Sequence, residues 1–120
     1  MFGRWTSAGV IIVCCAGSGE AVGESAHRLS GMASYYGANY SGRTARGERY
    51  DPSKLTAAHR TLPFGTRVRV TDSRSQRSII VVVNDRGPFI KGRVIDLSLA
   101  AAKALRMTDR GLVKVTAVVE

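Results

Sequence analysis

The chain of 120 residues has little of what stabilises or equips many small proteins. Its two cysteines, Cys14 and Cys15, are adjacent, and adjacent cysteines do not have the geometry of an ordinary structural disulfide. Its two histidines, His27 and His59, provide no cluster of metal ligands. No apolar run approaches the roughly 20 residues that span a bilayer. The sequence therefore predicts a domain held together by its hydrophobic core, with no disulfide, no metal, no cofactor and no membrane span.

Acidic residues are also scarce. The chain has 9 aspartates and glutamates against 18 lysines and arginines, for a formal net charge of +9. Such a surplus favours an acidic or polyanionic partner, which includes nucleic acid, an anionic membrane and an acidic cell-wall polymer. Composition alone does not choose among these partners. An apolar content of 44% is enough for one packed domain at this length.

The first 26 residues have the layout of a secretory signal peptide. One arginine precedes a short apolar block at residues 8–17, and small residues follow it. We expect a signal peptide at 1–26, a short linker at 27–30 and an exported domain at 31–120. Lipid attachment to one of the two cysteines is the alternative to plain secretion. Export favours an envelope polymer over nucleic acid as the partner.

The remainder alternates between short strand patterns and turn residues. The segment TRVRVTD (66–72) places valines on one face and arginines on the other, and SIIVVVND (78–85) is apolar on both faces, as in a central strand. Further strands are predicted at 31–37, 92–98 and 111–120. The one clear helix is SLAAAKALRM (98–107), with Ser98 as its N-cap. These patterns predict a mostly β domain, and we favour a barrel because it hides strand edges.

Two carboxylates lie in the stretch VVVNDRGPFIKGRVIDLS (81–98). Asp85 and Asp96 each stand at the end of an apolar strand pattern. Turn chemistry is one interpretation, since Asn, Asp, Gly and Pro are the usual turn residues. A functional site is the other. The irregular segment at 38–55 supports a site, because loops of this length in small domains are usually functional or disordered.

Six motifs in consistent order between Gly31 and Glu120 resemble the rare lipoprotein A (RlpA) family: ASYYG, TARGERYD, LTAAHRTLPFGTRVRVT, VVVNDRGPF, GRVIDLS and AAAKAL. That family consists of septal peptidoglycan lytic transglycosylases on a double-psi β-barrel. The resemblance implies a six-stranded barrel with one or two short helices. It also implies an enzyme of the periplasm or cell envelope that cleaves the MurNAc–GlcNAc bond and leaves 1,6-anhydro-MurNAc ends. The expected partner is the peptidoglycan glycan strand, with no nucleic acid, and we expect a monomer.

The resemblance also implies catalytic residues. The family's catalytic positions fall on Glu48, His59 and Asp85, and the carboxylate on which expansin-like relatives depend falls on Asp96. A carboxyl group can protonate the leaving oxygen or stabilise charge, and one acid that later acts as a base can suffice. His59 can orient a carboxylate or bind a sugar. Each residue also has an ordinary structural interpretation: turn, helix cap, core histidine or solvated loop.

Four further residues are predicted to bind substrate: Tyr36, Arg43, Arg46 and Arg86. A tyrosine ring can stack on a sugar, and arginines can pair with lactyl or stem-peptide carboxylates. Packing and a solubilising surface are the plainer interpretations. The alternative function is a non-catalytic glycan-binding or wall-loosening module of expansin type, which has the same barrel and no turnover.

Overall fold

The computed structural model describes residues 28–120. It has six strands and one helix: β1 (Arg28–Tyr35), β2 (Thr56–Ala58), β3 (Arg67–Asp72), β4 (Ser78–Asp85), β5 (Arg93–Leu97), α1 (Leu99–Ala104) and β6 (Val113–Val119). The strands close into a barrel in the order β1-β5-β2-β4-β3-β6. The predicted six-stranded, mostly β barrel with a short helix is therefore confirmed. The predicted signal peptide at 1–26 lies outside the described residues.

The strand pairing has a pseudo-two-fold symmetry. β1 pairs with β5 and β2 pairs with β4 in parallel, whereas the other four neighbouring pairs are antiparallel. Exchanging β1, β2 and β3 with β4, β5 and β6 maps this pattern onto itself. The chain therefore forms two equivalent halves, β1–β3 and β4–β6. Each parallel pair joins a strand of one half to a strand of the other half. One consequence is that β2 lies between β4 and β5, the two strands that carry the predicted carboxylates.

The barrel interior is filled by the residues that the alternation pattern selected. In β3, Val68 and Val70 are buried while Arg67 is exposed. In β4, Val81 and Val83 are fully buried, and the residue between them on the other face is partly buried. Ile95, Leu97, Leu105, Met107 and Val115 complete the largest part of the core. The predicted buried faces of these strands are confirmed.

The helix is shorter than predicted. Ser98 caps it as expected, because its side chain accepts a backbone N–H of the first turn at 3.2 Å. The helix then ends at Ala104 rather than at Met107, because Arg106 adopts a left-handed φ of 57°. The N–H of Met107 donates to the carbonyl of Ala102 at 3.0 Å, which completes a Schellman-type end. An arginine occupies the position where such ends usually have glycine.

Two other boundaries differ from the sequence prediction. Strand β1 begins at Arg28, inside the segment predicted as a linker at 27–30, and its first residues pair with β6. Strand β2 has three residues and lies in a segment for which no strand was predicted. Within residues 28–120, no helix is long and apolar enough to cross a membrane.

Candidate active site

A row of four residues crosses four neighbouring strands of the barrel. Ser34 of β1 is in register with Asp96 of β5, Asp96 with Ala58 of β2, and Ala58 with Asp85 of β4. Since neighbouring strands lie about 4.8 Å apart, the Cα atoms of the two aspartates are roughly 10 Å apart. Both aspartates are partly buried. The barrel thus brings together the two carboxylates that the sequence placed at strand ends.

Asp85 is held by three hydrogen bonds. Its Oδ1 accepts the backbone N–H of Ala45 at 2.7 Å and that of Arg86 at 2.9 Å. Its Oδ2 accepts the hydroxyl of Tyr36. In all three contacts Asp85 acts as the acceptor. The side chain therefore has a fixed position at the end of β4.

The β1–β2 loop (residues 36–55) folds over the end of β4 and supplies one of these donors. Besides the N–H of Ala45, the N–H of Arg46 donates to the carbonyl of Asn84 at 3.3 Å. The Asn84 side chain donates to Oε1 of Glu48 at 3.0 Å. Glu48 is exposed and is thereby held beside the residue that precedes Asp85. The loop predicted to be functional thus places Glu48 close to Asp85.

Tyr36 connects the row of four residues, through Asp85, to a cluster of three tyrosine rings. Its ring stacks on that of Tyr50 with centroids 4.6 Å apart, and Tyr40 meets both rings edge-on. Burial raises the pKa of the Tyr36 hydroxyl strongly, and the hydrogen bond to Asp85 and the charges of Asp85 and Asp96 raise it further. Tyr36 therefore remains a neutral donor at any working pH. The cluster is mainly packing, since Tyr50 is buried and Tyr40 is the more exposed ring.

Asp96 has fewer partners than Asp85. Its Oδ1 accepts the hydroxyl of Ser34, and within residues 28–120 its Oδ2 has no hydrogen-bond partner. A Cβ atom placed on Gly87 would lie 3.8 Å from this Oδ2, so the oxygen lies against the buried backbone of Gly87. Sequence analysis did not select Ser34. The available signal was a polar side chain two residues before Tyr36, on the same face of a strand.

His59 is buried and its ring is engaged with the backbone. Its Nδ1 accepts the N–H groups of Thr61 at 3.1 Å and Leu62 at 3.0 Å. Burial lowers the pKa of His59, and the positive charges of Arg60 and Arg86 lower it further. The ring is therefore neutral and carries its proton on Nε2. Its backbone N–H donates to the carbonyl of Asp85 at 3.2 Å, which places the residue next to the candidate site.

The three arginines predicted to bind substrate have different environments. Arg86 donates through Nη1 to the carbonyls of His59 at 3.1 Å and Leu62 at 2.8 Å, and its guanidinium lies 4.0 Å from the centroid of the Phe64 ring. These contacts tie the β2–β3 connection to the end of β4. Arg43 is exposed and donates to a carbonyl of its own loop. Arg46 is exposed, and its backbone N–H is bonded to Asn84, the residue before Asp85.

Two grooves of about 350 and 490 Å³ lie elsewhere and share Arg74 and Arg110. The β3–β4 turn that forms part of their walls precedes Ser78, at the far end of β4 from Asp85. A strand of that length spans about 23 Å. Their lining is basic and carries one carboxylate, that of Asp109. Within residues 28–120, no cluster of three or more His, Cys, Asp or Glu residues could hold a metal ion.

Comparison with known proteins identifies the family. A family model described as "Lytic transglycolase" matches residues 28–117. The chain belongs to this lytic transglycolase family. The resemblance seen in the sequence motifs is thereby confirmed.

Two relatives of this lytic transglycolase domain are named RlpA. The chain is 58% identical over 93 residues to the "Probable endolytic peptidoglycan transglycosylase RlpA" of Nostoc sp. PCC 7120, covering 73% of this chain and 25% of the relative. It is 53% identical over 91 residues to the "Endolytic peptidoglycan transglycosylase RlpA" of Pseudomonas aeruginosa PAO1, covering 75% of this chain and 27% of the relative. The chain thus spans about a quarter of the length of these relatives.

Two solved structures share the barrel. The Streptomyces papain inhibitor is 31% identical, has a TM-score of 0.62, and matches 77% of this chain and 93% of its own. The apo expansin of Clavibacter michiganensis is 20% identical, has a TM-score of 0.61, and matches 78% of this chain and 50% of its own. At that identity the expansin supports the fold alone. The barrel is therefore shared by proteins with different titles, and function has to be argued from the site.

Proposed function

We propose that this chain is an exported peptidoglycan lytic transglycosylase that cleaves the MurNAc–GlcNAc bond of glycan strands in the periplasm or cell envelope. The observation that carries the proposal is the row formed by Asp85 and Asp96, two carboxylates with unlike surroundings on neighbouring parts of one barrel face. Membership of the lytic transglycolase family and the titles of the RlpA relatives support it.

The reaction needs a proton donor and a means of stabilising positive charge. Protonation of the glycosidic oxygen releases the GlcNAc side as an alcohol. The C6 hydroxyl of the same muramic acid then attacks C1 and loses its proton, which gives the 1,6-anhydro ring without water. One group that first donates and then accepts a proton serves both steps. A second, ionised carboxylate stabilises the positive charge that develops at C1.

The surroundings of the two aspartates suggest how these tasks are divided. Asp85 accepts three hydrogen bonds, which suits a carboxylate that stays ionised and stabilises charge. Asp96 accepts one hydrogen bond, and within residues 28–120 its Oδ2 has no hydrogen-bond partner, which suits the group that exchanges a proton with substrate. Sequence analysis left open which carboxylate is the acid, and the contacts lead us to propose Asp96. Neutral Tyr36 positions Asp85.

The remaining candidates take supporting tasks in this proposal. Glu48, held by Asn84, lies where it can bond sugar hydroxyls. His59 fixes the connection that follows β2 through its two backbone partners. Arg46 meets lactyl or peptide carboxylates of the substrate, while Arg86 is occupied with backbone carbonyls.

The proposal is tested by incubating the protein with purified sacculi and analysing the soluble products by mass spectrometry. Products ending in 1,6-anhydro-MurNAc are expected, and they should be missing with the Asp85→Asn/Asp96→Asn double variant. Products with ordinary reducing ends would indicate a hydrolase instead. Binding to sacculi without any release would favour the non-catalytic module.

A further inference from the structure

The β4–β5 loop (residues 86–92) exposes an aromatic ring beside the candidate site. Phe89 is 77% exposed, the highest value among the large apolar side chains of residues 28–120. Its neighbour Ile90 is 55% exposed. Keeping a phenylalanine in water forgoes the favourable transfer free energy that its burial would contribute. An exposed ring of this kind often marks a surface that a ligand covers.

The ring and the free oxygen of Asp96 face the same space. A Cβ atom on Gly87 would lie 3.7 Å from the Phe89 ring and 3.8 Å from Oδ2 of Asp96. Gly87 has a φ of +128°, a conformation that favours glycine, so no side chain fills the space between them. The Phe89 ring and Oδ2 of Asp96 are therefore close neighbours, with only the backbone of Gly87 and no side chain between them.

We propose that Phe89 is a stacking platform for one sugar ring of the glycan strand, on the side of the site occupied by Asp96. A pyranose has an apolar face of C–H groups and a polar edge of hydroxyls. Laid against the ring of Phe89, it directs its edge oxygens toward Asp96. This combination of an apolar wall with few polar groups is typical of ligand sites. The inference rests on the proposed function for the identity of the sugar.

Two other occupants fit the surface formed by Phe89 and Asp96 less well. If a second copy of the chain covered Phe89 and Ile90, these two side chains would supply roughly 300 Å², well below the about 800 Å² per partner of a stable interface. A bilayer surface would have to take up the carboxylate of Asp96 together with the ring, and burying an unpaired charge is unfavourable. A sugar ring satisfies both groups at once.

The test compares Phe89→Ala with Ile90→Ala, a matched loss of an exposed apolar side chain one residue away. Binding of short soluble glycan strands prepared from sacculi is measured by calorimetry, with the chain carrying Asp85→Asn so that nothing is cleaved. Phe89→Ala should weaken binding roughly 10-fold, whereas Ile90→Ala should weaken it less than about 2-fold. Phe89→Trp should restore binding. The thermal midpoint should be unchanged in all three variants, because the ring is exposed.

In the cleaving protein, Phe89→Ala should raise KM and leave kcat nearly unchanged. Equal binding by Phe89→Ala and the parent protein would overturn the inference, even if the parent cleaves sacculi. Phe89-dependent binding by a protein that cleaves nothing would uphold it and overturn only the proposed function. Sedimentation of the parent as a dimer that Phe89→Ala converts to a monomer would also overturn it, as would Phe89-dependent binding to anionic vesicles without binding to glycan.

Discussion

Replacing each row aspartate by asparagine separates their two proposed tasks. In Asp85→Asn, the amide oxygen can still accept from Ala45 and Arg86, and the amide N–H can donate to the Tyr36 hydroxyl, so three charge-assisted hydrogen bonds become neutral ones. Hydrogen bonds to charged groups contribute about 1 kcal/mol more than neutral ones, so this change should lower the free energy of unfolding by about 1–3 kcal/mol. In Asp96→Asn, one bond is affected, and the loss should be about 1 kcal/mol or less.

Both variants should lose activity on sacculi. Asp96→Asn removes the proton-transfer group, which typically costs about 10²–10⁴-fold, and Asp85→Asn removes the carboxylate that stabilises the charge at C1. They should differ on an aryl muramyl glycoside, whose phenolic leaving group needs no protonation. Asp96→Asn should regain much of its lost rate on this substrate, although the later deprotonation of the C6 hydroxyl is still unassisted, whereas Asp85→Asn should stay slow because the charge at C1 is still unsupported. Release of the phenol is followed by absorbance, and unfolding by thermal melting under the same conditions.

The opposite pattern would refute this division. If the aryl substrate restores Asp85→Asn and not Asp96→Asn, Asp85 is the proton donor. If both variants cleave sacculi at the parent rate, the row is not the catalytic site, and both aspartates serve the turn and strand structure alone.

Three further predictions concern the core, the histidine and the N-terminus. Val81→Ala should lower the free energy of unfolding by about 1–3 kcal/mol, since Val81 is fully buried, and an unchanged thermal midpoint would contradict its place in the core. Burial and nearby arginines lower the pKa of His59 in the folded state, so its contribution to stability should be complete above the unfolded value of about 6.5 and decline as the pH falls below it. His59→Asn keeps an acceptor for the two backbone N–H groups but does not titrate, and melting between pH 7.5 and 5.5 should show a smaller decline than in the parent. The mature protein should lack residues 1–26, and an intact mass that retains Met1 would contradict the signal peptide.

The strands with strong alternation could be predicted from sequence alone. The segment 78–85 predicts β4 because its apolar run is continuous, and the segment 66–72 predicts β3 because its valines and arginines alternate. β2 was missed, since three residues are too few for a period and its pairing partners lie far along the chain. The end of α1 was missed because Arg106, and not glycine, adopts the left-handed conformation there.

The site shows the same limit. The sequence identified Glu48, His59, Asp85 and Asp96 through motifs, and the structure brings them to neighbouring positions around the end of β4 and along β5. The division between an engaged Asp85 and a more open Asp96 could not be predicted, because it depends on a hydroxyl of Ser34 and a backbone N–H of Ala45. A backbone N–H donor cannot be recognised from a sequence motif, because every residue except proline has one.

The contacts that build the site also determine when the chain can act. Ser34 reaches Asp96 across 62 positions, Tyr36 reaches Asp85 across 49, and Ala45 reaches Asp85 across 40. No fragment of the chain can assemble the site, and contacts of such long range form late and slowly in folding. Under the proposed function, an unfolded chain should therefore be inactive toward glycan, and the turnover rate should follow the fraction of molecules in which the barrel is folded. For a protein proposed to cut the wall that encloses its own cell, the need for these long-range contacts would prevent cleavage before folding is complete.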